Sequence, residues 1–211
     1  MLSKKAQSLL TPLCKQPQTY KSISELKREA NESSNNMMSQ AIKQWKEEGI
    51  LEEIKIGRNI LLRIDTDNEK ALQWLILTSF ENIPEKVRKT IKKTQQAFTE
   101  RGLLWYSLVL FGSHAQEKAS NQSDIDLLVL AEQTQKTREA ANTATRTIPR
   151  IDLHIHTPEE FKEMLDDDEE NLAKLIATNH KAIHNPRPFY EIIERSRYKT
   201  ALQALSRTGE Q

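Results

Sequence analysis

Cysteine is almost missing from this chain. Cys14 stands alone, so no disulfide can close within it, and a reducing compartment suits it. Charge of one sign is not in excess either: 31 Lys and Arg face 30 Asp and Glu, a net charge of +1. The whole chain therefore carries no electrostatic footprint for nucleic acid, and any such activity has to come from local distribution. Long apolar runs are absent as well. The longest, near Trp74-Leu75-Ile76-Leu77, is far too short to span a bilayer, and Lys4 and Lys5 are not followed by the apolar core of a signal peptide. These absences lead to the expectation of a cytoplasmic protein with no membrane partner. No internal repeat is visible.

What is present suits one large or two small domains. The chain has 211 residues, 37% hydrophobic and 29% charged, as in a helix-rich globular protein. Its chemistry concentrates in Phe111-Gly112-Ser113 and Ser123-Asp124-Ile125-Asp126-Leu127-Leu128-Val129-Leu130. Trp105 to Leu110 precede the first segment as an aromatic and β-branched run with strand character. The second segment reads as a strand that begins with two carboxylates. Spacing two puts Asp124 and Asp126 on one sheet face. Two adjacent carboxylates repel, and a divalent cation removes that cost; Mg²⁺ takes one or two carboxylates plus substrate phosphates. Gly112 lets a backbone come close to a ligand, and Ser113 adds a hydroxyl and, if a helix starts there, free N–H groups that favour phosphate. The chemistry this suggests is metal-assisted transfer at phosphorus.

Gly112-Ser113, ten residues, then Asp124-Ile125-Asp126 resembles the signature of the nucleotidyltransferase (polymerase β-like) superfamily, and most of all its minimal bacterial and archaeal members. Those members usually read Gly-Ser-x-Ala-Arg-Gly. This chain reads Gly112-Ser113-His114-Ala115-Gln116-Glu117, with Gln116 and Glu117 in place of the basic residue and the second glycine. An acidic side chain near phosphates costs affinity. Further on, Ile151-Asp152-Leu153-His154-Ile155-His156 alternates apolar and polar residues, with Asp152, His154 and His156 on one side. The superfamily places its third carboxylate there, so the resemblance makes Asp152 the partner of Asp124 and Asp126. The histidines either line the pocket or add nitrogen ligands for a transition metal. His114 is open between a phosphate contact and none.

The first 65 residues read as three helices and a hairpin. Leu2 to about Leu10 is expected as a first helix stopped near Pro12. Ser24 is the expected cap of a second helix, Glu25 to Ala30, and Ser33 or Ser34 caps a third that runs to Glu48. Met37, Met38, Ala41, Ile42 and Trp45 form its core face; Asn36, Gln40, Lys43, Gln44 and Glu47 lie opposite. Gly49 ends it. Ile50 to Ile56 and Asn59 to Ile64 are expected strands joined at Gly57-Arg58. This order resembles a winged helix-turn-helix domain. The resemblance implies DNA binding, with Asn36, Gln40 and Lys43 at base edges or phosphates and Arg58 at the wing tip. Residues 1–63 hold eleven Lys and Arg against seven Asp and Glu, a small local surplus. A protein-docking role with a solvated polar face remains the alternative, and winged-helix proteins that bind palindromes are often homodimers.

Residues 66–103 read as a helical connection: a helix around Leu72 to Phe80, then one from Pro84 whose stripe is Val87, Ile91, Thr94 and Phe98. Residues 104–211 read as the nucleotidyltransferase domain with a helical tail. Within it, a helix spans Gln133 to about Arg146, Thr157 caps another with Glu160 at capping-box spacing, and Asp166 to Glu170 is an acidic solvated run. A helix from Leu172 is expected to run on to the break at Pro186, and Phe189, Ile192 and Ile193 mark one more. From about Arg195 the tail is polar.

The expected fold class is α+β: an N-terminal winged helix-turn-helix, then a small mixed-sheet polymerase β-like domain with C-terminal helices. The resemblance implies transfer of a nucleoside monophosphate from an NTP, with ATP foremost, to a hydroxyl. Two Mg²⁺ would sit on Asp124, Asp126 and Asp152, and Gly112 and Ser113 would hold phosphates. Two rivals keep the fold. One is a DNA-binding transcriptional regulator with a non-catalytic nucleotide-sensing domain. The other is an antitoxin that nucleotidylates a partner toxin protein.

Overall fold

The structure is a computed structural model that describes residues 4–198. The expected helix start at Leu2 and the polar tail beyond residue 198 lie outside the described residues. The chain divides into two compact units, with the division between Thr78 and Ser79.

In unit 1, α1 (Lys4–Lys15) is followed by the two-residue strand β1 (Lys21–Ser22), α2 (Ile23–Glu29), α3 (Asn35–Glu47), β2 (Leu51–Ile56) and β3 (Asn59–Ile64). The strands form an antiparallel sheet in the order β1-β3-β2. Pro12 does not stop α1 but lies inside it. Leu9, Leu10 and Leu13 are all buried on one face, and that burial holds the turn despite the hydrogen bond proline removes. Ser22, not Ser24, caps α2 in a capping box with Glu25. The reason is register: Lys21 and Ser22 pair with Leu62 and Leu61, so the helix starts as soon as that pairing ends. Ser34 caps α3, and Met38, Ala41, Ile42 and Trp45 are buried along it. Gly49 follows with φ +69, which closes the helix without steric cost. A polar cluster ties the sheet together: Arg63 bonds Glu52 through Nε at 2.6 Å, and the Tyr20 hydroxyl donates to the same carboxylate at 2.7 Å. Helix α4 (Glu69–Glu81) spans the division between the units.

Unit 2 contains α5 (Glu85–Glu100), β4 (Ser107–Leu110), α6 (Gly112–Ala115), β5 (Ile125–Leu130), α7 (Gln135–Thr147), β6 (Ile151–His156), α8 (Pro158–Asp166), α9 (Leu172–Thr178), β7 (Lys181–His184) and α10 (Arg187–Arg195). Its sheet runs β6-β5-β4-β7. β5 and β6 are parallel, and the other two pairings are antiparallel, so the sheet is mixed. Leu108, Leu110, Ile125, Leu127 and Val129 turn one face onto Val87, Ile91 and Phe98 of α5 and Ala140 and Ala144 of α7. The alanines let α7 lie close to the sheet. β4 is shorter than its apolar run. Tyr106 enters the core, edge-on to Phe98 at 5.1 Å, and the alternation of an extended chain then turns Trp105 outward, 85% exposed. The expected long helix from Leu172 ends at Thr178 instead. Asn179 caps it, and Lys181, Ala182 and His184 pair with β4 as an edge strand that four residues of mixed polarity do not announce. Among the described residues no helix is long and apolar enough to cross a membrane.

One buried group makes unit 2 sensitive to pH. His180 lies in the core, with Nδ1 3.0 Å from the Ile176 carbonyl and Nε2 3.1 Å from the Tyr190 hydroxyl. Burial lowers its pKa from 6.5 to about 4. Below pH 6.5 the unfolded chain takes up a proton that the folded chain refuses. The neutral histidine thus contributes full stability above pH 6.5, and the contribution is lost as pH falls towards 4. The expected loss is about 3 kcal/mol. Urea unfolding from pH 7 to 4 should show this slope, and His180→Gln should flatten it.

Candidate active site

The site is built where β4 ends and β5 begins. After Phe111 the chain turns through Gly112, at φ +66, into the short helix α6. The Phe111 amide donates to the Asp126 carbonyl at 3.1 Å, which fixes this turn to the start of β5. A Cβ on residue 112 would stand 1.9 Å from Asp126 Oδ2. Only glycine allows both that φ and that approach. Gly112 and Asp126, fourteen positions apart in sequence, are thus in direct contact.

Asp126 and Asp152 are partners in the parallel register of β5 and β6. Asp126 is half-buried, and Asp152 and Asp124 are exposed. Burial above all, then the charge of Asp152, raises the Asp126 carboxyl pKa; His114 and His154 oppose this and Asp124 adds to it. Asp124 lies one residue before β5, after a turn in which the Ser120 amide bonds Ser123 Oγ at 2.9 Å. The Arg150 guanidinium donates to the Asn121 carbonyl at 2.8 Å and steadies the same loop. Asp126 and Asp152 therefore meet at one end of β5 and β6, with Gly112 against Asp126, while Asp124, expected on the same strand face, lies in the loop before the strand.

The two strand histidines part company. His154 Nε2 lies 3.2 Å from Asp152 Oδ2, and its ring stands edge-on to Phe111 at 5.4 Å. His156 looks instead towards Glu160, 3.9 Å away, and burial lowers its pKa. His114 has a buried Nε2 without a hydrogen-bond partner, and it borders a cavity of about 390 Å³ beside Lys86 and Asn121.

Glu117 occupies the place of the family pattern's second glycine, and it keeps a glycine's conformation, φ +60. Its carboxylate takes the buried Lys181 ammonium at 3.0 Å, and Lys181 also reaches the Asn82 carbonyl. Lys181 stands opposite Leu110 on β7, two residues before Gly112 in the strand-to-helix turn. The negative charge of Glu117 is thus met by a cation from β7. No local signal pointed to Lys181, because its partner is 64 positions away.

Whether a metal fits can be asked of the donor set. Among the described residues no three His, Cys, Asp or Glu side chains are disposed to hold a metal ion by themselves. Two hard oxygen donors on neighbouring strands, open on one side, do suit Mg²⁺, which leaves its other positions to water and phosphate. The residues present fit it in that sense.

Residues 105–187 match the family model described as Polymerase beta, Nucleotidyltransferase. This match supports the nucleotidyltransferase superfamily. It runs from the residue before Tyr106 into α10, so it takes in Gly112, all three carboxylates and Lys181. A mixed sheet flanked by helices is consistent with a nucleotidyltransferase domain. No curated protein and no solved structure matches the chain.

The left-handed backbone at Glu117 gives a direct test. Glu117→Ala and Glu117→Gly both remove the ion pair, but only alanine keeps a side chain at positive φ. Urea denaturation should find the alanine variant about 1 kcal/mol less stable than the glycine variant. Equal stabilities would mean that the backbone there carries no strain.

Proposed function

We propose that unit 2 transfers a nucleoside monophosphate from an NTP, ATP foremost, to a hydroxyl acceptor. The observation that carries this reading is the contact of Gly112 with the Asp126 carboxylate, with Asp152 in register beside it. Like charges gathered at a sheet end do nothing for folding, so their proximity calls for a cationic partner. Asp124, Asp126 and Asp152 would hold two Mg²⁺, which when bound supply charge stabilisation at the phosphoryl oxygens. Ser113 and the first amides of α6, which no side chain caps, would take the β- and γ-phosphates. Asp152 would accept the proton of the attacking hydroxyl, with His154 keeping its carboxylate oriented. The acceptor oxygen bonds to the α-phosphorus, the bond to the β-phosphate oxygen breaks, and pyrophosphate leaves.

A second reading concerns unit 1, which we take as a winged helix-turn-helix that binds DNA. Its support is the order of three helices and a hairpin, with Asn36, Gln40 and Lys43 exposed on α3 and Arg58 exposed at the hairpin turn. Lys43 is engaged only loosely, 3.9 Å from Glu47 on its own helix. Duplex binding by the full chain that weakens as salt rises is the expected behaviour.

The transferase reading is tested by calorimetric titration of ATP and the other NTPs with Mg²⁺. Saturable, Mg²⁺-dependent binding is expected for the wild type, with a loss of at least about tenfold in the Asp124→Asn, Asp126→Asn double variant. A folded wild type that binds no NTP would sink the enzyme reading and leave the DNA-binding regulator.

A further inference from the structure

β6 is an edge of the unit 2 sheet, and its outer side is unpartnered. In a parallel pair, alternate residues of a strand spend both backbone groups on the neighbour. The Arg150 carbonyl accepts from Ile125 at 2.8 Å and the His156 carbonyl from Ala131 at 3.1 Å. The even-numbered residues of β6 therefore face β5, and Ile151, Leu153 and Ile155 turn their N–H and C=O groups outward. No backbone hydrogen bond to these outward groups occurs among the described residues. Ile151 to His156 contain neither lysine nor proline, the residues that most often blunt an edge. The side chains of Ile151, Leu153 and Ile155 are only partly buried against the core.

The geometry points to a second copy of this chain as the occupant, joined β6 to β6 in antiparallel fashion about a two-fold axis. The outward residues must supply the hydrogen-bonded pairs, which limits the registers. Centring on Asp152 would oppose two carboxylates. Centring on Leu153 pairs Ile151 with Ile155, Leu153 with itself, and Asp152 with His154 of the other copy. That register uses every outward group, about six hydrogen bonds in all, and places apolar against apolar on the core side and acid against imidazole on the other.

Charge favours the same partner. At the far end of β6 a groove of about 540 Å³ is lined by Ile155, His156 and Met164, by Gln133 beyond the end of β5, and by the carboxylates Glu160, Glu163 and Asp167, with no lysine or arginine. The near end of β6 begins with the exposed Arg150. Antiparallel pairing brings Arg150 of each copy beside His156 of the other, at the mouth of that acidic groove. The strand is thus complementary to itself end to end. The contact adds a histidine from the second copy beside Asp152, and it is independent of the transferase reading.

Sedimentation velocity of the full chain across a concentration series tests the contact. A dimer is expected. Leu153→Pro removes an outward N–H that the β5 ladder does not use, so it should give a monomer whose circular dichroism is unchanged. Glu163→Lys should raise the dimer dissociation constant about tenfold, and adding Arg150→Glu to it should restore the wild-type value to within about threefold. Should Leu153→Pro unfold the chain, this charge exchange decides alone. A wild type that stays monomeric overturns the proposal and leaves a foreign extended segment as the occupant. A dimer indifferent to Leu153→Pro and to Glu163→Lys overturns it as well, since it must use another surface.

Discussion

The contact between Gly112 and the Asp126 carboxylate is the constraint on which the rest of the site depends. It fixes where α6 starts, because any side chain at residue 112 would displace the carboxylate. It fixes the carboxylate in turn, at the first strand turn of β5, beside Asp152. The two helices behind the sheet hold this arrangement from below. Ile125 and Leu127 flank Asp126 in the chain and point the other way, into the core with Val87, Ile91 and Phe98. The period of two that buries them is what lifts Asp126 to the open face. Packing and chemistry thus share one strand, and neither can be shifted by a residue without reversing both.

Electrostatics at this end of the sheet are arranged in opposing layers. Burial and then the charge of Asp152 raise the cost of ionising Asp126, and His114 and His154 reduce it. Glu117, which would add to the negative charge, is turned onto Lys181 from β7. The pair is half open to water on the glutamate side, so its worth is modest, but it keeps the α6 turn tied to the far edge strand. A departure from a glycine pattern is in this way absorbed by a partner elsewhere, with the left-handed backbone retained.

Much of this was legible in the sequence, for identifiable reasons. The helices with strong side-chain caps, α3 and α8, were readable from the Ser33-Ser34 pair, of which Ser34 is the cap, and from Thr157 with Glu160, since capping is a local interaction. The strands that carry Asp126 and Asp152 were readable because strand alternation is local as well. What escaped were outcomes decided at long range. β7 exists because β4 offers it an edge, and its sequence alone favours no strand. Pro12 sits within α1 because three leucines are buried there. Trp105 leaves the strand because Tyr106 takes the core. Lys181 could not be assigned to the site before β7 was known to lie beside β4.

Anomalous diffraction from crystals grown with Mn²⁺ and a non-hydrolysable ATP analogue tests the proposed site most directly. Metal peaks are expected on Asp126 and Asp152, with the triphosphate against Ser113 and the first amides of α6. Nucleotide bound elsewhere, or metal that leaves these two carboxylates untouched, would contradict it.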